Sequence, residues 1–478
     1  QDGKEARKSY LLSAMFKMFP ESLPVRVEEI FHTKRQGGLL PKDSLNPEET
    51  INMEQIVPPE SSLKFLAEGL KAAQKGILYP QWKGLYRWYL SKEPWKEKAS
   101  QLLEAAFYQY HAKPVGAEVI RALYGKVLEN SVTRLEQFSA CAFGHFLQYG
   151  LKLKERSLGE FAPVDMGNMF HEALERYSNH MEEEGFYWFD VPKEVKERLI
   201  QQAVEETLGS GFASRLFQEA RTAYLLERMK RILRRTIDTI TEQLQTSHFM
   251  PEGYEISFSF AENLDAVNFI LSEEERMRLK GRIDRIDTRK EGDQIYVKVI
   301  DYKSGNREFQ LLSLYHGLQL QLVVYLNSAV ELVKRKYPKK EVIPGGMYYY
   351  HLDDPVVEGN SASTDAEIQE KILEELKLKG VAGEGEDLSV SKKSKKAGAE
   401  EFQILSRYVN HKIRDIGRKI FDGEIGAQPY QLGDSTGCDY CPYHGVCGFD
   451  PSSPGWNYRK LENIKDEAEI LEKMRKEL

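Results

Sequence analysis

Cysteine is scarce in this sequence. Its 478 residues include four cysteines, and three of them fall within ten residues, in the stretch CDYCPYHGVC. The fourth, Cys141, lies far upstream in FSACAFGHF. Thiols that are so few and so clustered argue against a disulfide framework and indicate a reducing compartment, so we expect a cytoplasmic protein.

Long apolar runs and an excess of positive charge are also missing. The sequence has no run of 18 apolar residues, so we expect no insertion into a membrane. It does not begin with a charged and then apolar signal segment, and Gln1 in place of Met suggests a fragment or a processed chain. The formal net charge is −7, so binding to nucleic acid depends on local basic patches.

The overall composition is typical of a globular protein, and the length of the chain predicts about two or three domains. Charged residues make up 29% and hydrophobic residues 41% of the chain. Residues 1–130 are polar, predict mainly helices and carry no catalytic signature. Residues 131–245 also predict helices. Residues 380–400, rich in Gly, Ser, Glu and Lys, predict a mobile loop.

Strand patterns occupy the middle of the chain. The segments YEISFSF, MRLKGRIDRID and QIYVKVIDYKSG predict three strands, and RKEGD predicts the turn between the last two. A long helix is expected at about 308–336, followed by a further strand in GGMYYYHL. Together these elements predict an α/β fold in which helices flank a mixed sheet.

Two carboxylates and a lysine are the candidate catalytic groups of this sheet. Asp301 and Lys303 are two apart on a strand, so their side chains point to the same face. Asp284 lies on the preceding strand, and hairpin pairing would bring it beside Asp301. Converging carboxylates repel each other unless a cation neutralises them, and oxygen ligands suit Mg²⁺ or Mn²⁺. Taken alone, a D-x-K pair more often marks an exposed ion pair at a sheet edge.

Two helical pairs flank these strands. Gly167 and His171 are four apart upstream, and Gln321 and Tyr325 are four apart downstream, so each pair lies on one side of a helix. An imidazole can reach a metal, although a lone helical histidine is more often structural.

The cysteines form a second candidate site. Cys438, Cys441 and Cys447 have the spacing C-x(2)-C-x(5)-C, and Cys141 completes a set of four thiolates. Such a set suits a [4Fe-4S] cluster or a tetrahedral zinc ion, and the spacing alone does not decide between them.

The order of these motifs resembles a known family. G-x(3)-H, G-x-x-D, D-x-K and Q-x(3)-Y follow one another at Gly167–His171, Gly281–Asp284, Asp301–Lys303 and Gln321–Tyr325. This order is similar to the RecB-like branch of the PD-(D/E)XK nucleases, which have a restriction-endonuclease-like fold. One cysteine before the motifs and three after them resemble the iron-staple nucleases, in which a [4Fe-4S] cluster ties the two ends of the domain together.

Several short segments narrow this resemblance. LEQFSAC, GLQLQL, PGGMYYYHLDDP, LKLKG and CDYCPYHGVCGFD are similar to the C-terminal part of the B subunits of AddAB-type bacterial helicase-nucleases. The resemblance covers about residues 131–478 and implies an iron-sulfur-stapled nuclease domain with a helical insert at about 190–245. By position, residues 1–130 would be the tail of a helicase-like region. Ala142 stands where the family has proline, which affects a turn and not a ligand.

The resemblance implies a role for each motif residue. Mg²⁺ or Mn²⁺ would be held by His171, Asp284, Asp301 and the backbone carbonyl of Tyr302. Lys303 would orient the attacking water or stabilise the transition state, with support from Gln321 and Tyr325. The [4Fe-4S] ligands would be Cys141, Cys438, Cys441 and Cys447.

The implied function is that of a Mg²⁺-dependent DNA exonuclease. It would degrade the 5′-terminated strand within a complex that processes double-strand breaks for homologous recombination. Its partners would be DNA and an AddA-type subunit in a heterodimer. That subunit would supply the motor, because the sequence contains no G-x(4)-G-K-[ST] phosphate loop. Residues 276–303 carry nine basic and five acidic residues, a local +4 that favours a phosphate chain.

Other functions remain open on the sequence alone. One is a catalytically inactive DNA-binding scaffold, although the intact Asp284, Asp301 and Lys303 argue against it. Another is a stand-alone iron-staple exonuclease, which the additional 130 N-terminal residues disfavour. Zinc at the four cysteines is a further alternative.

Overall fold

The computed structural model describes residues 59–74, 76, 80–154, 163–209, 220–258, 264, 266–305, 307–352, 354–358, 364–385 and 387–478. The chain divides into two compact units, Gln1–Tyr108 and Gln109–Leu478. The sequence placed a boundary near residue 130 instead. Residues 127–130 lie in the second unit because they form a strand that pairs with residues 276–279, far along the chain.

The described residues of the first unit are helical. They form α1 (Pro59–Gln74), α2 (Pro80–Leu90) and α3 (Trp95–Ala106). Leu66, Leu70, Tyr89 and Ala99 form a small buried core. The predicted mainly helical character is confirmed for these residues, whereas residues 1–58 of the predicted region lie outside the described part of the chain.

The second unit begins with helices and one short strand. In chain order these are α4 (Ala117–Tyr124), β1 (Val127–Asn130), α5 (Val132–Ala140), α6 (Ala142–His145), a π-helical turn (Phe146–Gly150), α7 (Pro163–Glu183), α8 (Lys193–Gly209) and α9 (Ala220–Ser247). The helices α8 and α9 occupy the range of the predicted helical insert, of which residues 210–219 lie outside the described ranges.

The remaining elements are five consecutive strands, followed by a mixture of helices and strands. In chain order these are β2 (Met250–Ser257), β3 (Asn268–Ile270), β4 (Arg276–Leu279), β5 (Arg282–Glu291), β6 (Gln294–Lys303), α10 (Leu311–Tyr315), α11 (Gln321–Lys336), β7 (Glu341–His351), α12 (Asp365–Glu375), β8 (Lys379–Ala382), β9 (Lys395–Lys396) and α13 (Ala399–Phe421). The C-terminal segment adds β10 (Tyr430–Leu432), β11 (Ser435–Thr436), α14 (His444–Cys447), β12 (Arg459–Lys460) and α15 (Glu467–Lys476).

Six of the described strands form a central sheet in the order β2-β5-β6-β7-β8-β9. β5 and β6 pair antiparallel, whereas β6 and β7 pair in parallel, so the sheet is mixed. A parallel pair needs a crossover connection, and α10 and α11 lie in the one between β6 and β7. The predicted α/β fold with a mixed sheet is confirmed.

Helices cover both faces of this sheet. On β6, Val297 and Val299 belong to the core that contains residues of α11 and α13. Ile300 and Tyr302 belong to a second core, shared with α7, α8 and α9. Strands buried on both faces have nearly continuous apolar sequence, as in IYVKVIDY. The sheet is therefore a rigid support for side chains at its ends.

Two sequence predictions in this region need correction. The predicted helix at about 308–336 is interrupted, because Gly317 takes a left-handed φ of 79° between α10 and α11. The predicted strand MRLKGRIDRID divides into β4 and β5, and β4 joins a separate sheet with β1 and β3.

The range 380–400 contains part of β8, all of β9 and the start of α13. Asp387 accepts a hydrogen bond from the buried Lys298 at 3.0 Å, which holds this segment against the sheet. The predicted mobility of the range stays a prediction. Among the described residues, no helix is long and apolar enough to cross a membrane.

Candidate functional site

The hairpin of β5 and β6 brings the two candidate aspartates together. Arg285 pairs with Ile300 across the strands, so the positions of Asp284 and Asp301 adjoin. Both aspartate side chains are buried. The backbone N–H of Tyr302 donates to Asp284 Oδ2 at 2.6 Å, which fixes the orientation of that carboxylate.

A third carboxylate and the predicted histidine complete this cluster. His171 on α7 places Nδ1 3.4 Å from Glu255 Oε1 and 3.5 Å from Asp284 Oδ1. One ligand atom from each of the three residues lies within 4.8 Å of the others. His171 and Glu255 line a cleft of about 620 Å³, together with Arg282 and Glu175. The donor set of imidazole and carboxylate oxygens fits a divalent cation such as Mg²⁺ or Mn²⁺.

The pKa values show how strongly these groups interact. Burial alone would lower the pKa of His171, but Asp284 and Glu255 more than offset it and raise the pKa to about 10. Burial raises the pKa of Glu255, and Asp284 and Glu175 raise it further against the opposing effect of His171. A proton on His171 therefore balances negative charge that a cation would otherwise neutralise.

Asp301 belongs to an adjoining network with Lys303 and Gln321. Lys303 Nζ lies 2.6 Å from Asp301 Oδ2 and donates to Gln321 Oε1 at 3.1 Å. The amide Nε2 of Gln321 donates to Asp301 Oδ1 at 3.0 Å and to the hydroxyl of Tyr325 at 2.9 Å. Burial and the charge of Asp284 raise the pKa of Asp301 to about 7, although Lys303 and His171 oppose the rise. Gln321 therefore holds the lysine and the aspartate in one fixed arrangement.

The two motif glycines permit close packing around the site. A Cβ atom on Gly167 would lie 3.0 Å from Ser304 Oγ, so the glycine lets α7 approach the end of β6. A Cβ atom on Gly281 would lie 2.3 Å from the ring of Phe258, which packs edge-to-face on Tyr325. Larger residues at either position would displace groups next to the cluster.

Two residues of the site were missed by the sequence analysis. Glu255 lies in YEISFSF, where an acidic residue is ordinary for a strand, and its φ of 47° breaks the regular alternation. Glu136 on α5 accepts hydrogen bonds at Oε1 from the backbone N–H groups of Leu320 at 2.8 Å and Gln321 at 3.2 Å. A carboxylate at a helix N-terminus is stabilising, and here it fixes the start of α11. Its only sequence signal is its place in LEQFSAC, close to Cys141.

The four cysteines converge on a second site. Cys141 is buried, whereas Cys438, Cys441 and Cys447 are partly buried, and all four are free thiols. Burial raises the pKa of Cys438 to about 11, and the other three thiols raise it as well, so all four lie close together. The backbone N–H groups of Gly144 and Phe143 oppose the rise in the pKa of Cys141, as donors to its sulfur.

The four thiols form one set of potential metal ligands. Four thiolates suit either a [4Fe-4S] cluster or one tetrahedral zinc ion.

A family model described as the PD-(D/E)XK nuclease superfamily matches residues 129–448. The chain belongs to this superfamily. The matched range covers two thirds of the chain and contains the β5–β6 hairpin, His171 and all four cysteines. A second model, described as the fifth domain of the ATP-dependent helicase/deoxyribonuclease AddB, matches residues 48–105.

The chain is also similar, over nearly its whole length, to curated proteins that are named as deoxyribonuclease subunits. The chain is 35% identical to the B subunit of the ATP-dependent helicase/deoxyribonuclease of Lachnoclostridium phytofermentans, over 99% of this chain and 41% of the relative. It is 31% identical to the B subunit of the enzyme of the same name from Clostridium tetani, over 100% of this chain and 42% of the relative. The chain thus spans about two fifths of the length of these relatives.

Proposed function

We propose that this chain is the nuclease-bearing part of an AddAB-type helicase-nuclease and that it hydrolyses DNA phosphodiesters with Mg²⁺ or Mn²⁺. The observation that carries the proposal is the cluster of His171, Glu255 and Asp284 beside the ion pair of Asp301 and Lys303. An imidazole, three carboxylates and a lysine at the end of one hairpin match the needs of metal-assisted phosphoryl transfer.

Each residue has a distinct part in this reaction. The cation would be held by His171, Glu255, Asp284 and Asp301, with the backbone carbonyl of Tyr302 as a further ligand. Bound there, it would polarise the phosphate and lower the pKa of an attacking water.

Lys303 carries the positive charge nearest to Asp301. Its ammonium group would stabilise the charge that builds on the phosphate in the transition state. Gln321 holds that ammonium group through Oε1, and Tyr325 in turn fixes Gln321. These contacts support a preorganised site in which the lysine needs no rearrangement during the reaction.

The four cysteines are proposed to hold a [4Fe-4S] cluster that serves architecture rather than reaction. The order of the ligands supports this choice: one cysteine precedes the nuclease motifs and three follow them, as in the iron-staple nucleases. A cluster bound by Cys141 and the C-terminal cysteines would close a very long loop, and its binding energy would add to the folding energy.

The remaining parts of the proposal concern the whole assembly. The relatives are named as B subunits of their enzymes, which supports a heterodimer with an AddA-type helicase-nuclease subunit. The substrate would be the 5′-terminated strand at a DNA double-strand break that is processed for homologous recombination. The partner would supply ATP-driven movement.

A cleavage assay with strand-specific labels tests this proposal. Linear duplex and single-stranded DNA, each labelled at one end, are incubated with the purified chain in Mg²⁺, Mn²⁺ or EDTA and without ATP. We expect cleavage with either metal, none in EDTA, and progressive shortening of single strands from the 5′ end. Failure to cleave any DNA with either metal would contradict the proposal and favour a DNA-binding scaffold.

A further inference from the structure

A cleft of about 370 Å³ lies between the catalytic segment and the cysteine-rich C-terminal segment. One wall comes from residues 307–319, which lie between Lys303 and Gln321 in the sequence. The other wall comes from the hairpin of β10 and β11, which ends two residues before Cys438. The cleft is therefore lined by segments that lead into both candidate sites, and its lining residues are separate from those assigned to either one.

Arg307 contributes a positive charge to this cleft. Its Nη2 donates to Glu136 Oε2 at 3.1 Å and to the carbonyl of Leu318 at 3.4 Å, while its own carbonyl accepts a hydrogen bond from His351. The side chain is still 38% exposed, so part of it is open to a ligand. Arg307 is thus a fixed donor rather than a mobile surface residue.

The guanidinium group of Arg307 keeps its positive charge, and it lies close to the candidate catalytic residue Asp301. Burial would lower the pKa of Arg307, but the charges of Glu136 and Asp301 help to raise it. Glu136 and Gln321 link the two groups. Glu136 accepts from Arg307 at Oε2 and from the backbone N–H of Gln321 at Oε1, and the side chain of Gln321 donates to Asp301. A phosphate bound by this guanidinium group would therefore be a near neighbour of a phosphate at the hairpin.

The other lining residues suit the remainder of a nucleotide. Leu318 and Leu432 offer apolar surface, Tyr430 offers an aromatic ring, and Gln319 and Ser435 offer polar groups. Single strands are held by basic groups on the backbone and by stacking or apolar contacts on the bases. The volume of the cleft is at the lower end of the range for sites of drug-sized ligands.

We propose that this cleft binds one nucleotide of the DNA strand next to the cleaved phosphodiester, with Arg307 on its phosphate. The proposal rests on the proposed nuclease function and adds a subsite to it. It also gives the C-terminal segment a part in substrate binding, because β10 and β11 form one wall.

The test measures binding without cleavage. A labelled single-stranded oligonucleotide is titrated with wild type, Arg307→Ala, Arg307→Lys and Ser435→Trp, with Ca²⁺ as the only divalent cation and intact DNA verified on a gel. Arg121→Ala is the matched control, because Arg121 is an exposed arginine on α4 outside the cleft. Each titration is repeated over a range of salt concentrations.

We expect Arg307→Ala to weaken binding about tenfold, the usual worth of a charged hydrogen bond. It should also reduce the salt slope by about 0.7, as expected for one lost phosphate contact on a single strand. Arg307→Lys should keep the salt slope, Ser435→Trp should weaken binding by filling the cleft, and Arg121→Ala should behave as wild type.

Wild-type affinity and salt slope in folded Arg307→Ala, together with wild-type affinity in Ser435→Trp, would overturn the subsite. That result is distinct from failure of the proposed function. The nuclease proposal fails if the wild type does not cleave DNA in Mg²⁺, whatever the binding data show.

Discussion

The carboxylate oxygen Oε1 of Glu255 lies 3.4 Å from Nδ1 of His171, although the two residues are 84 positions apart. The contact joins β2 to α7 beside the cleft that both residues line. It makes Glu255 a candidate ligand of the metal site, although no motif in the sequence marks it. It also explains why His171 would remain protonated in the absence of a cation.

Removal of the Glu255 carboxylate should weaken metal binding. We expect Glu255→Gln to lower the affinity for Mn²⁺ by about tenfold or more, since even groups that only support metal ligands have effects of this size. Isothermal titration with Mn²⁺ measures this change. Glu291→Gln, at an exposed glutamate in the β5–β6 hairpin, is the control. Equal affinity in all three proteins would show that Glu255 is not a ligand.

Glu136 should act on catalysis by positioning Gln321. Its carboxylate holds the backbone N–H groups at the start of α11, and Gln321 in turn contacts Asp301 and Lys303. We expect Glu136→Ala to lower kcat, because Gln321 loses its anchor, and to raise KM, because Glu136 also holds Arg307. Glu136→Gln should recover much of the rate, since its amide oxygen still accepts from these groups.

The alternative for Glu136 is a purely structural role. In that case Glu136→Ala would lower the melting temperature, but kcat per folded molecule at low temperature would match that of the wild type. Kinetics and thermal unfolding of the same preparations distinguish the two outcomes.

His145 should make the protein sensitive to acid. Burial, assisted by Arg134, lowers the pKa of His145 from 6.5 to about 3. Below pH 6.5 the unfolded chain takes up a proton that the folded chain does not, so stability is present above pH 6.5 and is lost as the pH falls toward 3. The loss between pH 6.5 and 5 should be about 2 kcal/mol.

Urea unfolding at these two pH values measures that loss. His145→Gln removes the titrating group, so the variant should lose about 2 kcal/mol less than the wild type between pH 6.5 and 5. An equal loss in both proteins would assign the acid sensitivity to other groups.

Cys141→Ala should remove the metal from the cysteine site. We expect loss of iron, of acid-labile sulfide and of protease resistance in the segment after Cys447, because the C-terminal segment would no longer be tied to α5. Ala142→Pro is a matched control: it keeps all four thiols and places proline at the first residue of α6, where it is tolerated. A full iron complement in Cys141→Ala would show that Cys141 is not a ligand, and zinc in the wild type would contradict the cluster.

The hairpin and the positions of Asp284, Asp301 and Lys303 could be predicted from the sequence. The alternation of apolar and polar residues in a strand, and the residues of a turn, involve positions that are close together in the chain. Glu255 and Glu136 could not be predicted, because they join the site through contacts between residues that are far apart in the sequence. Glu255 has an unusual φ of 47° for a strand residue. Glu136 on α5 contacts the start of α11, where it accepts a hydrogen bond from the backbone N–H of Leu320. The break at Gly317 was also missed, since an isolated glycine in a helical pattern does not by itself show whether the helix ends.

The central claim is that the end of the β5–β6 hairpin cleaves DNA, and the most direct test compares Asp301→Ala with Asp293→Ala. Asp301 is buried at the site, whereas Asp293 is an exposed aspartate in the turn of the same hairpin, paired with Lys340. The initial rate of Mg²⁺-dependent cleavage of linear DNA should fall roughly a hundredfold or more in Asp301→Ala, as for the loss of a group that acts on the transition state. It should stay at the wild-type level in Asp293→Ala. Wild-type cleavage by folded Asp301→Ala would contradict the account.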